Sequence, residues 1–486
     1  MSPYKFQYKT KKQKYTAFVT RLLATALFVF SVSTTLSAQN NNTIYFMDRL
    51  PQSSLLNPSF QPNYNYYIGL PLLSSMNVNA GTNFVSFSDI IFKSSEMDSL
   101  ITFLHPSHNI DDFIGKLNER NYLGPDMHLN LLRVGVRYRD MFFNFSVSER
   151  MSMRASLPKD LFVFALKGNE EFLDRKADFS NLGADLNYYR EFALGASYPL
   201  DERLTLGATA KLLFGKGNIS ISDHDINLYT DPESYNMILN SRFTVNMSMP
   251  FDLQYDEDGN IEDIVPHFDD EDYNFAEFVF NNQNVGMALD LGATYMFSDE
   301  ITFYASVKDL GFIRWKNNVY NISMDGEYEF EGFDIAEIIN DEDDQYIDNL
   351  LDSIADLFAF TDTQNAFTRG LGTRIYLGGK YQLNEMLNFG ALSRSEIRGG
   401  NFMQALTLSA NADFTRWLST SMSYSMMNNS YNNLGMGLGI RGGPIQFYML
   451  SDNINTLFMP HRSQNVNLWF GLNLVFGYNR DLEMIK

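Results

Sequence analysis

The sequence predicts an all-β fold, a transmembrane antiparallel up-and-down β-barrel of about 14 strands. Three observations predict it. One kind of β-hairpin recurs along the chain, the strands beside it alternate between apolar and polar residues, and the N-terminus is typical of an exported protein. An N-terminal plug of short helices and long extracellular loops complete the expected architecture.

The recurring hairpin is a strand that ends in a small residue and usually a tyrosine, then three mostly polar residues, then a second strand. Copies occupy 195–200, 292–297, 378–383 and 409–414, with tips at 201–203, 298–300, 384–386 and 415–417. Short polar tips between alternating strands are typical of β-hairpins. Because the copies are unevenly spaced, they predict a meander of hairpins that closes into a barrel, not a solenoid.

The flanking strands alternate with a period of two. After the first tip one face is apolar and the other is small or polar; the two faces carry Leu204, Leu206, Ala208, Ala210, Leu212 and Phe214, and Thr205, Gly207, Thr209 and Lys211. Such alternation indicates a sheet wetted on one side only. A soluble sandwich would turn the apolar face inward, whereas a membrane barrel turns it outward to lipid.

The N-terminus favours the membrane barrel. Six basic residues between positions 5 and 21 precede an apolar run over 22–36, and Leu36-Ser37-Ala38 offers a small-residue cleavage site. This pattern predicts a secretory signal peptide over 1–38 and a barrel over 39–486. The apolar run is shorter than the roughly 20 residues that a membrane-spanning helix needs. The chain has no cysteine, which excludes disulfides, thiol catalysis and cysteine-metal sites.

Two stretches between hairpins hold most of the acidity. Residues 252–277 contain eleven acids, residues 325–356 contain thirteen, and neither contains lysine or arginine, in a chain of formal net charge −21. Long loops of outer-membrane barrels face the cell exterior and short turns face the periplasm, so we predict that both stretches are extracellular.

Residues 86–119 carry a helical apolar pattern instead of alternation, which predicts short helices that plug the lumen or cap its rim.

The alternation also predicts which charged residues face the lumen. They have mixed signs and are Lys211, Asp290, Lys308, Arg374, Lys380, Arg394, Asp413 and Arg441. They could pair and fill a narrow interior, or they could line a polar path or a carboxylate-binding surface.

Pro71 interrupts the first strand region between apolar residues, and proline weakens strand pairing, so Pro71 is a candidate gate. The histidines show no metal-ligand spacing. No catalytic residues, metal, cofactor or nucleic-acid partner are predicted.

The last strand, 468–478, carries Gly471-x-x-Leu474-x-Phe476, which resembles the terminal signal read by the barrel-assembly machinery. With the early Asn57-Pro58 segment, the helical region and the hairpins, the whole chain resembles FadL-like barrels. These include long-chain fatty-acid transporters and the PorV-type barrels of a secretion system. The opening Leu56-Asn57-Pro58-x-Phe60-Gln61-Pro62 is similar to that of an uncharacterised group of Bacteroidota outer-membrane barrels.

The resemblance implies a multi-pass protein of the outer membrane, inserted by the barrel-assembly machinery and surrounded by lipid and lipopolysaccharide. Its expected function is transport of small, possibly hydrophobic compounds, with a hydrophobic ligand or other outer-membrane proteins as partners. The alternative is a non-transporting accessory or scaffold subunit of an outer-membrane secretion or assembly complex. In neither case is the chain expected to be an enzyme.

Overall fold

The structure is a computed structural model that describes residues 42–93, 99–105, 108–255, 261–266, 281–330, 361–427, 430–459, 461 and 463–478. The predicted signal peptide and most of the two acidic stretches lie outside the described residues. No helix within the described part of the chain is long and apolar enough to cross a membrane.

Strands dominate the described residues. In chain order they are β1 (Tyr64–Gly69), β2 (Ser75–Thr82), β3 (Ile91–Lys93), β4 (Leu100–Thr102), β5 (Arg120–Tyr138), β6 (Met141–Pro158), β7 (Ala177–Asp178), β8 (Gly183–Pro199), β9 (Leu204–Thr230), β10 (Met237–Ser248), β11 (Phe251–Tyr255), β12 (Ile261–Pro266), β13 (Asn284–Met296), β14 (Ile301–Trp315), β15 (Val319–Phe330), β16 (Thr361–Thr363), β17 (Phe367–Gly370), β18 (Thr373–Gln382), β19 (Leu387–Arg398), β20 (Asn401–Thr415), β21 (Leu418–Met427), β22 (Ser430–Gly442), β23 (Ile445–Ser451) and β24 (Asn465–Tyr478).

The described helices are short and lie outside the strands. The α-helices are α1 (Phe87–Ile90), α2 (Ile110–Ile114), α3 (Lys159–Lys167) and α4 (Asn455–Phe458), and the 3-10 helices are Thr43–Phe46, Pro51–Leu55 and Glu170–Phe172.

Antiparallel pairing closes the main sheet into a barrel. Its wall has 14 strand positions. β1 and β2 together occupy one position, and so do β17 and β18; the other twelve are β5, β6, β8, β9, β13, β14 and β19 to β24. The last strand closes the ring, because β24 pairs with β1 and β2, which pair with β5 on their other side. The predicted all-β antiparallel barrel of about 14 strands is confirmed.

Short hairpins gather at one end of the barrel, here the turn end, and the longer connections gather at the other, the loop end. The first tip residue explains why the tips are polar. Asp201 Oδ1 accepts hydrogen bonds from the backbone N–H groups of Arg203 and Leu204, at 2.7 and 2.8 Å. Asn384 and Ser298 cap their tips in the same way. A short side-chain acceptor thus satisfies backbone donors that the ladder leaves unpaired.

One part of the sheet continues beyond the closed wall at the loop end. The upper half of β9, from Asn218 to Thr230, pairs with β10, which pairs in turn with β15, and β15 pairs with β16. The lower half of β9 pairs with β13 inside the wall. In this loop-end sheet, β10 ends just before the first acidic stretch, β15 includes the first six residues of the second, and β16 follows the second.

Side-chain exposure shows which face of the barrel is polar. On β9, Leu206 and Leu212 are 44% and 46% exposed, whereas Thr209 and Lys211 are 8% and 5% exposed. Apolar side chains therefore point outward and polar ones into the lumen, the reverse of a soluble sandwich. The arrangement is that of an outer-membrane barrel, where a charge on the outer face at mid-membrane depth would cost about 2–4 kcal/mol.

Residues 42–63, here the lumen segment, fill the half of the lumen next to the turn end. Ile44, Tyr45 and Leu50 are fully buried, and the ring of Tyr45 stacks on that of Tyr376 with centroids 5.7 Å apart. Asn57 Oδ1 accepts the backbone N–H of Ser59 at 3.0 Å, so the Asn-Pro sequence forms a turn that directs the chain towards β1.

Residues 86–119 lie at the loop end. The backbone N–H of Ser86 donates to Asp89 at 2.7 Å and caps α1. An apolar cluster joins this region to α3; it contains Phe84, Val85, Phe113 and Leu117, with Phe103, Phe162 and Leu166 packed against it. The role of 86–119 as a plug or rim cap stays a prediction. The element that the structure places in the lumen is the lumen segment, which the sequence pattern did not single out as a plug.

Candidate functional site

Glycines of the barrel wall make room for the lumen segment. On β22, Gly435, Gly437 and Gly439 face inward at alternate positions, and an added Cβ would lie 2.4, 2.7 and 3.2 Å from side chains of the segment. At Gly207 a Cβ would lie 2.2 Å from the carbonyl carbon of Pro58. The backbone of the segment and that of the wall approach each other more closely than any side chain would allow.

Polar contacts tether the lumen segment at both of its faces. The carboxylate of Asp452 accepts the backbone N–H groups of Asn42 and Thr43, at 3.1 and 2.9 Å. Lys380 Nζ donates to Asp48 at 2.6 Å, with only 3% of the lysine side chain exposed. Lys380, predicted to face the lumen, is therefore an anchor for the segment.

Two more of the predicted lumen charges lie near the turn end. Asp413 lies 3.3 Å from Arg49 of the lumen segment. The guanidinium of Arg441 lies over the rings of Tyr64 and Tyr478, 5.8 and 4.8 Å from their centroids. Asp413 thus pairs with the lumen segment, whereas Arg441 packs on two aromatic rings.

The other five predicted lumen residues meet in one buried ion-pair network at mid-barrel. Its centre is Asp290, which accepts from Lys211 at 2.8 Å and from Lys308 at 2.6 Å. Asp309 takes part as well, because its backbone N–H donates to Asp290 at 2.7 Å and its carboxylate lies 3.1 Å from Arg374. Four strands of the wall are cross-linked in this way.

The network continues along β19 and across to β8. Glu396 accepts from Arg374 at 3.3 Å, and it also contacts Arg394 and Arg398. On the other side Glu191 lies 3.2 Å from Arg150. Removing one partner from such a buried group leaves an uncompensated charge and costs about 3–5 kcal/mol.

Asp309 shows why strict alternation missed part of the network. The pairing of β13 with β14 shifts register between Leu289 and Leu291, and Asp309 has a positive φ of 58°. This bulge turns both Lys308 and Asp309 into the lumen, where they are 4% and 2% exposed. Glu396, in contrast, follows Arg394 by two residues, so the same alternation continued along the strand would have identified it.

Pro71 lies in a turn between β1 and β2 that bulges out of the wall. Leu72, with a φ of 64°, and Leu73 are 56% and 47% exposed. Hydrogen bonds close the ladder on both sides of the turn: the N–H of Leu70 donates to Leu472 at 3.1 Å and that of Leu72 donates to Leu131 at 3.3 Å. The role of Pro71 as a gate stays a prediction.

Three adjacent cavities lie between the lumen segment and the loop end. The first has a volume of about 70 Å³; its lining includes Leu55, Leu56, Met127, Met151, Tyr189, Tyr376 and Trp469 as well as His128, Arg150, Lys308, Arg374 and Arg398. The second, about 50 Å³, shares Asn79 and Asp126 with the first. The third, about 30 Å³, shares Arg374 and Arg398 with the first. Apolar and charged surfaces thus face the same space.

The described residues contain no group of three or more histidine, aspartate or glutamate side chains arranged to hold a metal ion.

Solved structures that resemble the chain, at low similarity, include two toluene transporters and a FadL homologue. The toluene transporter TbuX of Ralstonia pickettii has 10% sequence identity and a TM-score of 0.39, with 88% of this chain and 94% of that chain covered. The toluene transporter TodX of P. putida has 11% identity and a TM-score of 0.39, with coverage of 88% and 95%. A FadL homologue of Pseudomonas aeruginosa has 10% identity and a TM-score of 0.41, with coverage of 92% and 100%.

Sequence comparison identifies the family. No curated protein matches the chain. The profile of a family of unknown function, DUF5723, matches residues 58–452, which span the wall from the end of the lumen segment to the end of β23. The match covers well over half of the sequence, and the chain therefore belongs to the DUF5723 family.

Proposed function

We propose that this protein transports small, partly hydrophobic compounds across the outer membrane through the loop-end half of its lumen. The observation that carries the proposal is the set of three adjacent cavities with mixed apolar and charged linings. Pockets of this composition bind small molecules, whereas a barrel that only supports other proteins can fill its lumen with side chains. The proposal includes insertion by the barrel-assembly machinery and contact of the outer face with lipid and lipopolysaccharide.

Expulsion of the lumen segment is too costly to open the channel routinely. Ile44, Tyr45 and Leu50 are completely buried, and burial stabilises each such side chain by about 1.5–3 kcal/mol. These three alone favour the seated segment by roughly 5–9 kcal/mol, so fewer than about one molecule in a thousand would have it expelled. The seated segment therefore keeps the turn end closed. The transport route for a small compound must then leave the lumen elsewhere.

The wall has a weak point between β5 and β6. The two strands pair Leu123 with Ala155 and Asp126 with Ser152, but no pair is formed at Gly124 and Pro125. Proline has no N–H to donate to a ladder.

The second cavity lies at this break, and its lining spans the wall. Asn79 and Arg154 lie on its lumen side, whereas Leu123 and Met153 point outward and are 41% and 42% exposed. We therefore assign the exit from the lumen to the Gly124–Pro125 break, with separation of β5 from β6 as the opening step.

A cross-link across the break tests this route. Because the chain has no cysteine, Leu123→Cys with Ala155→Cys can be joined by a short thiol cross-linker. We expect uptake of a radiolabelled aromatic compound into proteoliposomes to stop on cross-linking. Val136→Cys with Phe143→Cys joins the same two strands at a regular pair and should leave uptake unchanged.

Uptake that is equal in the cross-linked, uncross-linked and protein-free vesicles would refute transport. Uptake that continues unchanged after the break is cross-linked would refute the route but not the function. Pro71→Val belongs in the same assay: loss of uptake in that variant would move the gate to the turn between β1 and β2.

The second candidate function is a non-transporting accessory or scaffold subunit of an outer-membrane complex. The observation that favours it is the loop-end sheet, because β9, β10, β15 and β16 extend beyond the closed wall and offer a surface to another protein. Deleting residues 237–248 and 319–330 together would remove β10 and β15. Loss of co-purifying outer-membrane proteins with unchanged uptake would support the accessory role.

A further inference from the structure

Arg154 on β6 is a lumen cation for which the described residues supply no carboxylate at ion-pair distance. Its Nη1 lies 3.6 Å from the sulfur of Met403, and its guanidinium carbon lies 5.8 Å from the ring centroid of Tyr122. Thioether sulfur is a weak acceptor. Among the described residues no carboxylate lies within ion-pair distance of Arg154, whereas neighbouring Arg150 and Arg398 both have carboxylate partners.

The lining of the cavities carries an excess of positive charge. The three cavities are lined by six basic side chains, Arg150, Arg154, Lys308, Arg369, Arg374 and Arg398, and by three carboxylates, Asp126, Asp185 and Asp309. Three further carboxylates and two further cations pair with these from behind the lining, namely Glu191, Asp290, Glu396, Lys211 and Arg394. Cations still exceed acids by two, in a chain whose net charge is −21.

We propose that the cavities bind a small organic carboxylate, with its carboxylate on Arg154 and its apolar part in the first cavity. The guanidinium fork matches the two oxygens of a carboxylate. Asn79 and Asp126 line both the first cavity and the second, which contains Arg154. The two cavities are therefore neighbours, and the proposed ligand would extend from Arg154 past Asn79 and Asp126 towards Trp469 and Leu56.

The cavity volume limits the size of the ligand. One water molecule takes up about 10–15 Å³ of cavity volume on this measure. The first cavity, with a volume of about 70 Å³, therefore has room for roughly five waters. A benzoate-sized anion fits this scale, with its carboxylate in the second cavity. A long acyl chain or an oligosaccharide does not fit.

The inference rests on the proposed transport function for its role, but binding is measured without flux. The probes are benzoate and its neutral analogue benzamide, titrated against the full-length protein in detergent. Binding is followed by tryptophan fluorescence, to which Trp469 of the first cavity contributes together with two other tryptophans. A charge-assisted hydrogen bond contributes about 1.5–3 kcal/mol, so we expect benzoate to bind about 10- to 100-fold more tightly than benzamide.

Three variants test the assignment to Arg154. Arg154→Gln should weaken benzoate binding by about 10- to 100-fold and leave benzamide unaffected. Arg154→Lys keeps the charge and should recover part of the affinity, which separates binding from misfolding. Arg441→Gln removes a guanidinium at the turn end, away from the cavities, and should leave benzoate binding unchanged.

Equal affinity of the wild-type protein for benzoate and benzamide would overturn the carboxylate site, as would an unchanged benzoate affinity in Arg154→Gln. Inorganic phosphate that competes as strongly as benzoate would replace the carboxylate class with a general anion site. Benzoate binding that depends on Arg154 in a protein without uptake would uphold the site and refute transport. Uptake without any benzoate preference would uphold transport and refute the site.

Discussion

The close contact between the lumen segment and the wall predicts that one methyl group added at Gly207 strongly destabilises the seated segment. At Gly207 an added Cβ would lie 2.2 Å from both the carbonyl carbon and the carbonyl oxygen of Pro58, and 2.5 Å from the nitrogen of Ser59. These are backbone atoms, so no side-chain rotation can relieve the overlap. Gly207→Ala must therefore displace the segment.

The expected cost follows from the size of this overlap. Inserting a methyl group into a packed site destabilises it by about 1–3 kcal/mol. The strand β9 remains paired to β8 and β13 on both sides, so the cost falls on the seating of the segment and not on the barrel. The population with the segment unseated should rise about 5- to 150-fold, at a factor of ten per 1.4 kcal/mol.

Thiol labelling measures that population. Ser59 is 2% exposed, and in a chain without native cysteine Ser59→Cys is a single reporter. Its rate of reaction with a maleimide should rise about 5- to 150-fold when Gly207→Ala is added. Gly379→Ala is the matched control, because its Cβ would meet Phe303 at an ordinary 3.7 Å. Equal labelling rates in the two backgrounds would show that the segment does not depend on this contact.

Three further predictions concern stability, pH and topology. Lys211→Met removes a buried counter-ion that Asp290 and Asp309 share and should lower the free energy of unfolding in urea by about 3–5 kcal/mol. The control Arg242→Met, at an exposed pair with Asp325, should change the free energy of unfolding by less than about 1 kcal/mol. Equal effects of the two variants would contradict the stabilising role of the buried network. At the loop end, burial alone would raise the pKa of Asp160, but hydrogen bonds from Arg175 and from the backbone N–H of Asp178 outweigh it and hold that pKa below its ordinary value. The stabilisation by Asp160 is therefore complete above the ordinary aspartate pKa of about 3.9 and is lost as the pH falls through the lower folded pKa, so hydrogen-exchange protection of α3 should drop below about pH 4 in the wild type and show no such step in Asp160→Asn. In intact cells, a membrane-impermeant maleimide should label Tyr235→Cys at the loop end and spare Glu202→Cys at the turn end; the opposite result would reverse the orientation.

Local patterns in the sequence were enough to predict the barrel. The period of two along each strand depends only on backbone pleating, and the three-residue tips depend only on a short acceptor such as Asp201 capping its own turn. Because neighbouring strands in a meander are also neighbours in sequence, these local signals add up to the strand number and to the direction of the faces. Lys211, Asp290 and Lys308 could be placed in the lumen for the same reason.

The tertiary structure alone decided what occupies the lumen. The lumen segment has no periodicity, and its contacts are distant in sequence: Thr43 bonds Asp452 and Gln52 bonds Asn473. Glycines at the hairpin ends also make room for the lumen segment: Gly292 leaves space for Asn57. No sequence pattern within a hairpin reveals that neighbour.

The charges that complete the network were also decided by tertiary structure. Asp309 reaches the lumen through a bulge that breaks the alternation. The place of β6 in the closed wall sets which carboxylates come near Arg154, and none of those in the described residues lies within ion-pair distance of it. Sequence determines what each strand can present to its two sides. Which groups then meet depends on register, bulges and closure, because side chains from strands hundreds of residues apart share one narrow interior.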